Sequence, residues 1–227
     1  MTALARAWKD DGSVEVGLDE AGRGCLWGRL YVGAVILSPE VEAYADGGAV
    51  LGLIKDSKKL SRKKRAGLAD WIRDNAVESA VAWAEPEEID EINILQADIA
   101  AMRRALNSLE APFQRILVDG DFSIKYKPSE VEEITIVGGD ASYVSIAAAS
   151  ILAKEAHDDW VAEQVGNNPA LHDRYGFGAN MGYGTAAHMA GLREWGPTEG
   201  HRRSFAPVAA AAAAAAAASA KGAVGNV

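Results

Sequence analysis

Cysteine is almost absent from this sequence: Cys25 is the only one among 227 residues. An intrachain disulfide is therefore excluded, as is a zinc site built on paired cysteines, and a reducing compartment fits best. Long hydrophobic runs are missing too. Residues 1–13 interleave Arg6, Lys9, Asp10 and Asp11 with their apolar neighbours, which argues against a secretory signal or an anchoring helix. The alanine tract at 209–218 is too short and too weakly hydrophobic for a membrane span. A cytoplasmic protein with no membrane partner is expected. Positive charge is also in deficit, with a formal net charge of −9. Nucleic-acid proteins usually draw phosphate affinity from lysine and arginine, yet net charge hides local distribution. Basic residues gather at Lys55, Lys58 and Lys59, at 62–65, at Arg103 and Arg104, and at Arg202 and Arg203. Such runs form solvated helix faces more often than grooves, but a basic groove stays open.

What is present describes one compact domain with a small appendage: 49% of residues are hydrophobic, enough for a single substantial core. Residues 14–18 and 30–37 are β-branched, aromatic or small and apolar, with Gly22, Gly24 and Gly28 between them, which predicts strand, glycine-rich turn, strand. Further short strands are expected at 80–84, 116–118 and 134–137. Ser61 can cap a helix through Leu68 and Ile72, and Asn93 with Gln96 resembles a capping arrangement ahead of Leu95, Ile99, Met102, Leu106 and Leu109. A third helix is expected over 145–165, where Ala147, Ala148, Ala149 and Ser150 allow close approach to another element. Glycines and prolines crowd the stretch from Asn167 to Gly200 and leave little room for long elements. The organisation read from this is an N-terminal extension (1–13), a mixed α/β domain (14–166), a C-terminal segment (167–207) and an alanine-rich flexible tail (208–227), either a frayed helix or disorder. No internal repeat is visible.

Four carboxylates stand at places where a site can form. Asp19 and Glu20 lie where the first strand runs into the glycine turn, so strict side-chain alternation need not apply to both. Asp119 follows the apolar run 116–118 and precedes Gly120, at the carboxyl end of a buried strand, the edge where open α/β sheets favour ligands. Asp140 follows two glycines after another strand. Each alone has an ordinary reading as a surface corner, a cap or a turn residue; Asp158, on the third helix, is expected to be exposed. If the four converge, mutual repulsion disfavours ionisation unless cations lie between them. Oxygen donors without a histidine or cysteine cluster point to Mg²⁺ or Mn²⁺. Two such ions about 4 Å apart can activate water and stabilise the departing oxygen of a phosphodiester. The run Gly22-Arg23-Gly24 adds a backbone able to approach a ligand closely and a planar set of donors.

Several separated stretches, in order, together resemble the bacterial type 2 ribonucleases H (ribonuclease HII). They are Gly17-Leu18-Asp19-Glu20-Ala21-Gly22-Arg23-Gly24, Asp56-Ser57-Lys58-Lys59-Leu60, Asn93-Ile94-Leu95, Val118-Asp119-Gly120 and Gly139-Asp140. Ile146-Ala147-Ala148-Ala149-Ser150-Ile151-Leu152-Ala153-Lys154, Gly182-Tyr183-Gly184-Thr185 and His201-Arg202-Arg203-Ser204-Phe205 complete the set. The resemblance implies a ribonuclease H-like mixed sheet flanked by helices, with a small C-terminal helical subdomain that grips substrate. It also implies an endonuclease that hydrolyses the RNA strand of RNA/DNA hybrids and cuts 5′ of ribonucleotides embedded in duplex DNA, leaving 3′-hydroxyl and 5′-phosphate ends. By the same resemblance Asp19, Glu20, Asp119 and Asp140 bind two divalent ions, Mg²⁺ or Mn²⁺, and Gly22, Arg23 and Gly24 sense the ribose 2′-hydroxyl. Tyr183 packs near the RNA-to-DNA junction and Lys58 lies near substrate phosphates, while Asp158 and His201 receive no role. The sequence departs from relatives at Arg29, Gly138 and Met181, the last two where a basic residue is common.

Two rivals remain. Type 3 ribonucleases H share fold and chemistry but usually carry an extra N-terminal substrate-binding domain, and only about thirteen residues precede the first strand here. A non-catalytic hybrid-binding module would keep the glycine turn and lysines while its carboxylates were structural. A monomer is expected, with no docking motif for a protein partner in view.

Overall fold

The computed structural model describes residues 4–40, 44, 46, 48–54, 60–128 and 130–224. Five strands form one mixed sheet: β1 (Glu15–Ala21), β2 (Leu30–Ile36), β3 (Glu78–Ala84), β4 (Arg115–Asp119) and β5 (Glu132–Ile136), in the order β3-β2-β1-β4-β5. β1 runs antiparallel to β2 and parallel to β4, and β4 runs parallel to β5. The helices are α1 (Arg62–Asn75), α2 (Pro86–Ile92), α3 (Ile94–Asn107), α4 (Val144–Asn167), α5 (Ala170–Tyr175), α6 (Phe177–Asn180), α7 (Ala186–Trp195) and α8 (Ala206–Val224). None of the described helices is long and apolar enough to cross a membrane.

The chain divides into two compact units. The first comprises residues 1–21, 31–83 and 98–156 and contains the sheet, most of α3 and the first half of α4. Its central strands are buried on both faces: β2 shows no exposed position, and Val16, Leu18 and residues 116–118 are fully inaccessible. Each such aliphatic side chain contributes about 1.5–3 kcal/mol of burial. Small residues set how closely α4 lies on the sheet. A Cβ at Gly17 would strike the backbone of Ser145, and one at Gly33 the backbone carbonyl of Ala149. The run Ala147, Ala148, Ala149 and Ser150 is buried against this surface. Glycine on the strands and alanine on the helix thus bring two backbones into direct contact. In the first turn of α1, buried Arg65 pairs with buried Glu155 of α4 at 2.8 Å.

The second unit comprises residues 22–30, 84–97 and 157–227. Its core is aromatic: Trp27 stacks on Trp160 and on Phe177, with ring centroids 5.3 and 4.5 Å apart, and Tyr175 stacks on Phe177. A second cluster joins Leu26, Leu192 and Val208, which anchors the start of α8. Helices α2, α5, α6 and α7 were not anticipated as separate elements. Residues with positive φ stop each short helix and turn the chain: Asn93 after α2, Gly176 after α5, Met181 after α6 and Gly196 after α7, so a turn-rich sequence folds as brief helices. The capping expectation at Asn93 is met: its Oδ1 accepts from the backbone N–H of Leu95 and Gln96 at 3.0 and 3.1 Å. Ser61 precedes α1 as expected, yet its side chain makes no capping hydrogen bond.

Candidate active site

In the first unit the strands deliver the carboxylates. β1 does not end at Leu18 but continues through Ala21, with Asp19 opposite Gly33 and Glu20 opposite Val32. The alternation of a regular strand therefore holds here, contrary to expectation, and Asp19 shares the face of Gly17 that α4 covers while Glu20 takes the other. Asp19 is buried and Glu20 half-buried. Leu18 pairs with Val118 in parallel register, so the next step brings Asp19 beside Asp119, the last residue of β4. Asp119 Oδ1 accepts from the backbone N–H of Gly139 at 2.6 Å. Gly139 opens a short 3-10 turn, Gly139–Ala141, entered through the left-handed conformation of Gly138, and this turn carries buried Asp140. Asp19 Oδ1 accepts the N–H of Glu20 at 2.7 Å, and the Ser150 hydroxyl on α4 also bonds this carboxylate.

These groups repel one another. Burial, then the charges of Glu20 and Asp119, push the Asp19 carboxyl well above its ordinary range. The backbone and hydroxyl donors offset only part of that cost. Among the described residues no three His, Cys, Asp or Glu side chains form a ready-made metal cage. What the structure provides is a set of oxygen donors with a charge conflict that a hard divalent cation would relieve, and the donor chemistry fits such an ion.

In the second unit the glycine turn is held from two sides. Gly22, at φ +83°, begins a turn closed by the N–H of Cys25 donating to Gly22 O at 3.1 Å. Leu26 N–H donates to Gly182 O and Gly28 N–H to Gly200 O, each at 2.9 Å, and Cys25 bridges to Tyr183. A Cβ on Gly22 would stand 2.6 Å from His157 Cδ2, and one on Gly182 would stand 2.6 Å from Trp27 O. Gly24 is exposed and Arg23 half-buried, whereas Gly22 is buried. Tyr183 is 37% exposed. Burial, then the neighbouring Cys25, raises its phenol pKa, and its hydroxyl bonds the backbone of Gly22 and the side chain of Cys25.

Arg202 latches this turn, a role that sequence reasoning missed. It was read as part of a basic cluster, but its side chain is fully buried, with Nε donating to Gly28 O at 3.0 Å and Nη1 to Arg23 O at 2.9 Å. Burial lowers its pKa to about 10, still high enough to keep the guanidinium charged at neutral pH. Other anticipated groove cations are likewise engaged within the fold: Arg103 donates to the carbonyls of Ile124 and Lys125, and Arg104 to that of Trp83. Lys58, with Lys55 and Lys59, lies outside the described residues. Asp158 is buried rather than exposed and meets His157 Nδ1 at 3.1 Å, while His157 Nε2 stands 3.6 Å from Cys25 Sγ.

The family model described as "Ribonuclease HII" matches residues 16–208, most of the chain. The chain belongs to the ribonuclease HII family. A ribonuclease HII of Polaromonas sp. (strain JS666 / ATCC BAA-500) is 44% identical over 203 residues, covering 89% of this chain and 94% of that protein. Ribonuclease HII of Dechloromonas aromatica (strain RCB) is 47% identical over 194 residues, covering 85% and 91%. Among solved structures, the crystal structure of ribonuclease H2 from Pyrococcus horikoshii OT3 superposes with a TM-score of 0.68 at 28% identity, over 88% of this chain and 97% of that one. The fold is thus ribonuclease H-like, and family membership makes the chain a ribonuclease H.

Proposed function

We propose that this ribonuclease HII homologue hydrolyses the RNA strand of RNA/DNA hybrids and cuts 5′ of ribonucleotides embedded in duplex DNA. The observation that carries the proposal is the buried Asp19 carboxylate beside Glu20 and Asp119, in a chain matched by the family model over residues 16–208. Asp19, Glu20, Asp119 and Asp140 would hold two Mg²⁺ or Mn²⁺ ions. Bound there, those ions would supply an activated water and charge stabilisation for the departing oxygen. Gly139 N–H fixes the orientation of Asp119, and Ser150 with Glu20 N–H fixes that of Asp19. Hydrolysis adds the water oxygen to phosphorus and breaks the bond to the 3′ oxygen, which leaves with a proton, giving 3′-hydroxyl and 5′-phosphate ends. No covalent enzyme intermediate is needed.

Choice of strand falls to other residues. A 2′-hydroxyl is what distinguishes RNA from DNA at one nucleotide. Backbone groups of the Gly22-Arg23-Gly24 run would meet it, with Gly24 exposed and Arg23 half-buried and no side chain on the glycines to stand in the way. Tyr183, partly exposed, would offer an aromatic surface to the sugar at an RNA-to-DNA junction. Lys58 would contribute phosphate contact.

The test is a DNA duplex carrying one internal ribonucleotide, incubated with Mg²⁺, with Mn²⁺ and with chelator. Cleavage immediately 5′ of the ribonucleotide, lost in chelator, is the expected result. Cutting confined to long RNA tracts would overturn the embedded-ribonucleotide specificity, and metal-independent binding without cutting would favour a hybrid-binding module instead.

A further inference from the structure

Two histidines of the second unit, His188 on α7 and His201 in the loop before α8, are fully buried and face each other with Nε2 atoms 3.0 Å apart. Their tautomers follow from their outer partners. A backbone N–H can only donate, and Thr198 N–H reaches His201 Nδ1 at 2.8 Å. That nitrogen must therefore be the acceptor, and the Thr198 hydroxyl stands 2.8 Å from it as well. In the neutral ring the proton then sits on His201 Nε2 and is donated to His188 Nε2. His188 accordingly carries its own proton on Nδ1, which is 3.1 Å from the carbonyl oxygen of Tyr183, a group that can only accept. Each partner is thus consistent with one direction of donation, from Thr198 through His201 and His188 to Tyr183.

The surroundings favour this uncharged state. Phe177 meets the His188 ring edge-on with centroids 4.7 Å apart, and Tyr175 meets His201 at 5.1 Å. Burial pushes the His201 pKa down to about 3 and also lowers that of His188. Protonating either ring would leave two N–H groups facing each other, or an N–H facing Thr198 N–H. The relay ends on a residue that other contacts also hold: Tyr183 N–H donates to Asn180 O at 3.0 Å, Thr185 N–H donates to Tyr183 O at 2.8 Å, Cys25 bridges to the Tyr183 backbone, and the phenol bonds Gly22 and Cys25, so the relay adds a main-chain anchor from the side of α7.

We infer that His201 and His188 are positioning residues: as a neutral, one-directional hydrogen-bond relay they fix the Tyr183 backbone, and through it the ring that selects the cleavage site. The inference rests on the proposed role of Tyr183 at the RNA-to-DNA junction. Neither histidine is a catalytic residue.

The relay is tested with two substitutions of similar size. Gln at 201 can place an amide N–H where Nε2–H stood and keep donating to His188, whereas Asn can accept from Thr198 but cannot reach His188. The readout is the ratio of cutting at a single embedded ribonucleotide to cutting within a long RNA/DNA hybrid, with Tm recorded for both variants. His201→Asn is expected to lower that ratio about tenfold, the scale of one lost buried hydrogen bond, and His201→Gln to leave it close to that of the unsubstituted protein. In a double-mutant cycle, His201→Asn should add little once Tyr183→Ala is present. A ratio unchanged by His201→Asn, while Tyr183→Ala shifts it, overturns the inference. If Tyr183→Ala itself has no effect, the assigned role of Tyr183 has failed, and the relay is judged on its tautomers. Nitrogen-15 spectra of the full chain should then show the proton on Nε2 of His201 and on Nδ1 of His188, with the Tyr183 amide resonance displaced in His201→Asn. The opposite tautomers, or an undisplaced Tyr183, would sink it even if both variants fold poorly.

Discussion

The carboxylate end of the sheet and the glycine turn of the second unit solve opposite problems. Asp19 is buried next to Glu20 and Asp119, and burial, then their negative charges, raises its proton affinity. The turn, by contrast, is tied mainly by hydrogen bonds made within the fold: Arg202 covers the carbonyls of Arg23 and Gly28, though its buried Nη2 finds no partner among the described residues, backbone bridges run to Gly182 and Gly200, and two neutral histidines lead to Tyr183. Acidification acts on the two in opposite senses. Protonating Asp19 relieves repulsion, whereas protonating His188 or His201 breaks a hydrogen-bond relay. One region carries a charge conflict that the fold leaves unrelieved, which the proposed metal ions would answer; the other is held largely by hydrogen bonds made in advance, which suits its proposed part in discrimination by shape.

The sharpest way to break this comparison is Asp119→Asn. Cleavage should fall about a thousandfold or more, equivalent to about 4 kcal/mol in the barrier, with hybrid binding by fluorescence anisotropy retained. Because a like charge beside Asp19 is removed, the variant should melt no lower than the parent. A large drop in Tm instead would show that Asp119 is a structural group.

Alanine at two glycines separates the regions further. At Gly33 a Cβ strikes the Ala149 carbonyl of the α4 backbone, so Gly33→Ala should cost about 3 kcal/mol or more of stability, read by urea unfolding. At Gly22 the obstacle is the His157 ring and a φ of +83°. Gly22→Ala should lower cutting at an embedded ribonucleotide about 10- to 100-fold, matching strain of about 1–3 kcal/mol, with the residual activity still chelator-sensitive. Adding His157→Ala should recover part of that loss, since the ring clash goes and the backbone strain stays. No recovery would assign the effect to φ and to the Arg29 carbonyl, 3.0 Å from such a Cβ, rather than to the ring.

A smaller effect concerns pH. Burial depresses the His201 pKa from 6.5 to about 3, so between those values the unfolded chain binds a proton that the folded one does not. The resulting stability is fully present above pH 6.5 and is lost as pH falls towards 3, with a limiting slope of about 1.4 kcal/mol per pH unit. Urea unfolding of His201→Gln over the same range should lose that share of the slope, and an unchanged profile would mean that the ring titrates freely. The smallest effect is expected at the C-terminal end of α8. Val208 is buried, but residues 213–217 are exposed, so deleting the chain from residue 213 onward should alter stability by less than about 0.5 kcal/mol.

Local pattern reached a good part of this structure. The apolar runs around Leu18, Val32 and Val118 are strands because such runs can be buried on both faces, and Asn93 caps α3 because its side chain reaches two adjacent backbone N–H groups. The family-like motifs pointed to Asp19, Glu20, Asp119 and Asp140, and Glu20 and Asp119 now stand within electrostatic range of Asp19. Pattern failed where a residue's role depends on what lies across from it. Arg202 and Arg104 carry a charge that reads as solvent-seeking, yet each ends on main-chain carbonyls supplied by segments far away in sequence. His201 offered no local clue, because its tautomer is set by Thr198 and passed to His188.

By itself the sequence determined the family, the strand and helix periodicities and the identity of the acidic residues, since these depend on residue type and short-range spacing. Only the tertiary structure decided that β1 runs on through Asp19 and Glu20, placing them on opposite faces, and that Asp158 is buried. It alone turned a basic pair into one internal latch and two isolated histidines into a relay. The physical reason is the same throughout: burial and hydrogen-bond partnership are set by contacts between distant segments, and those contacts fix the ionisation and direction of a side chain.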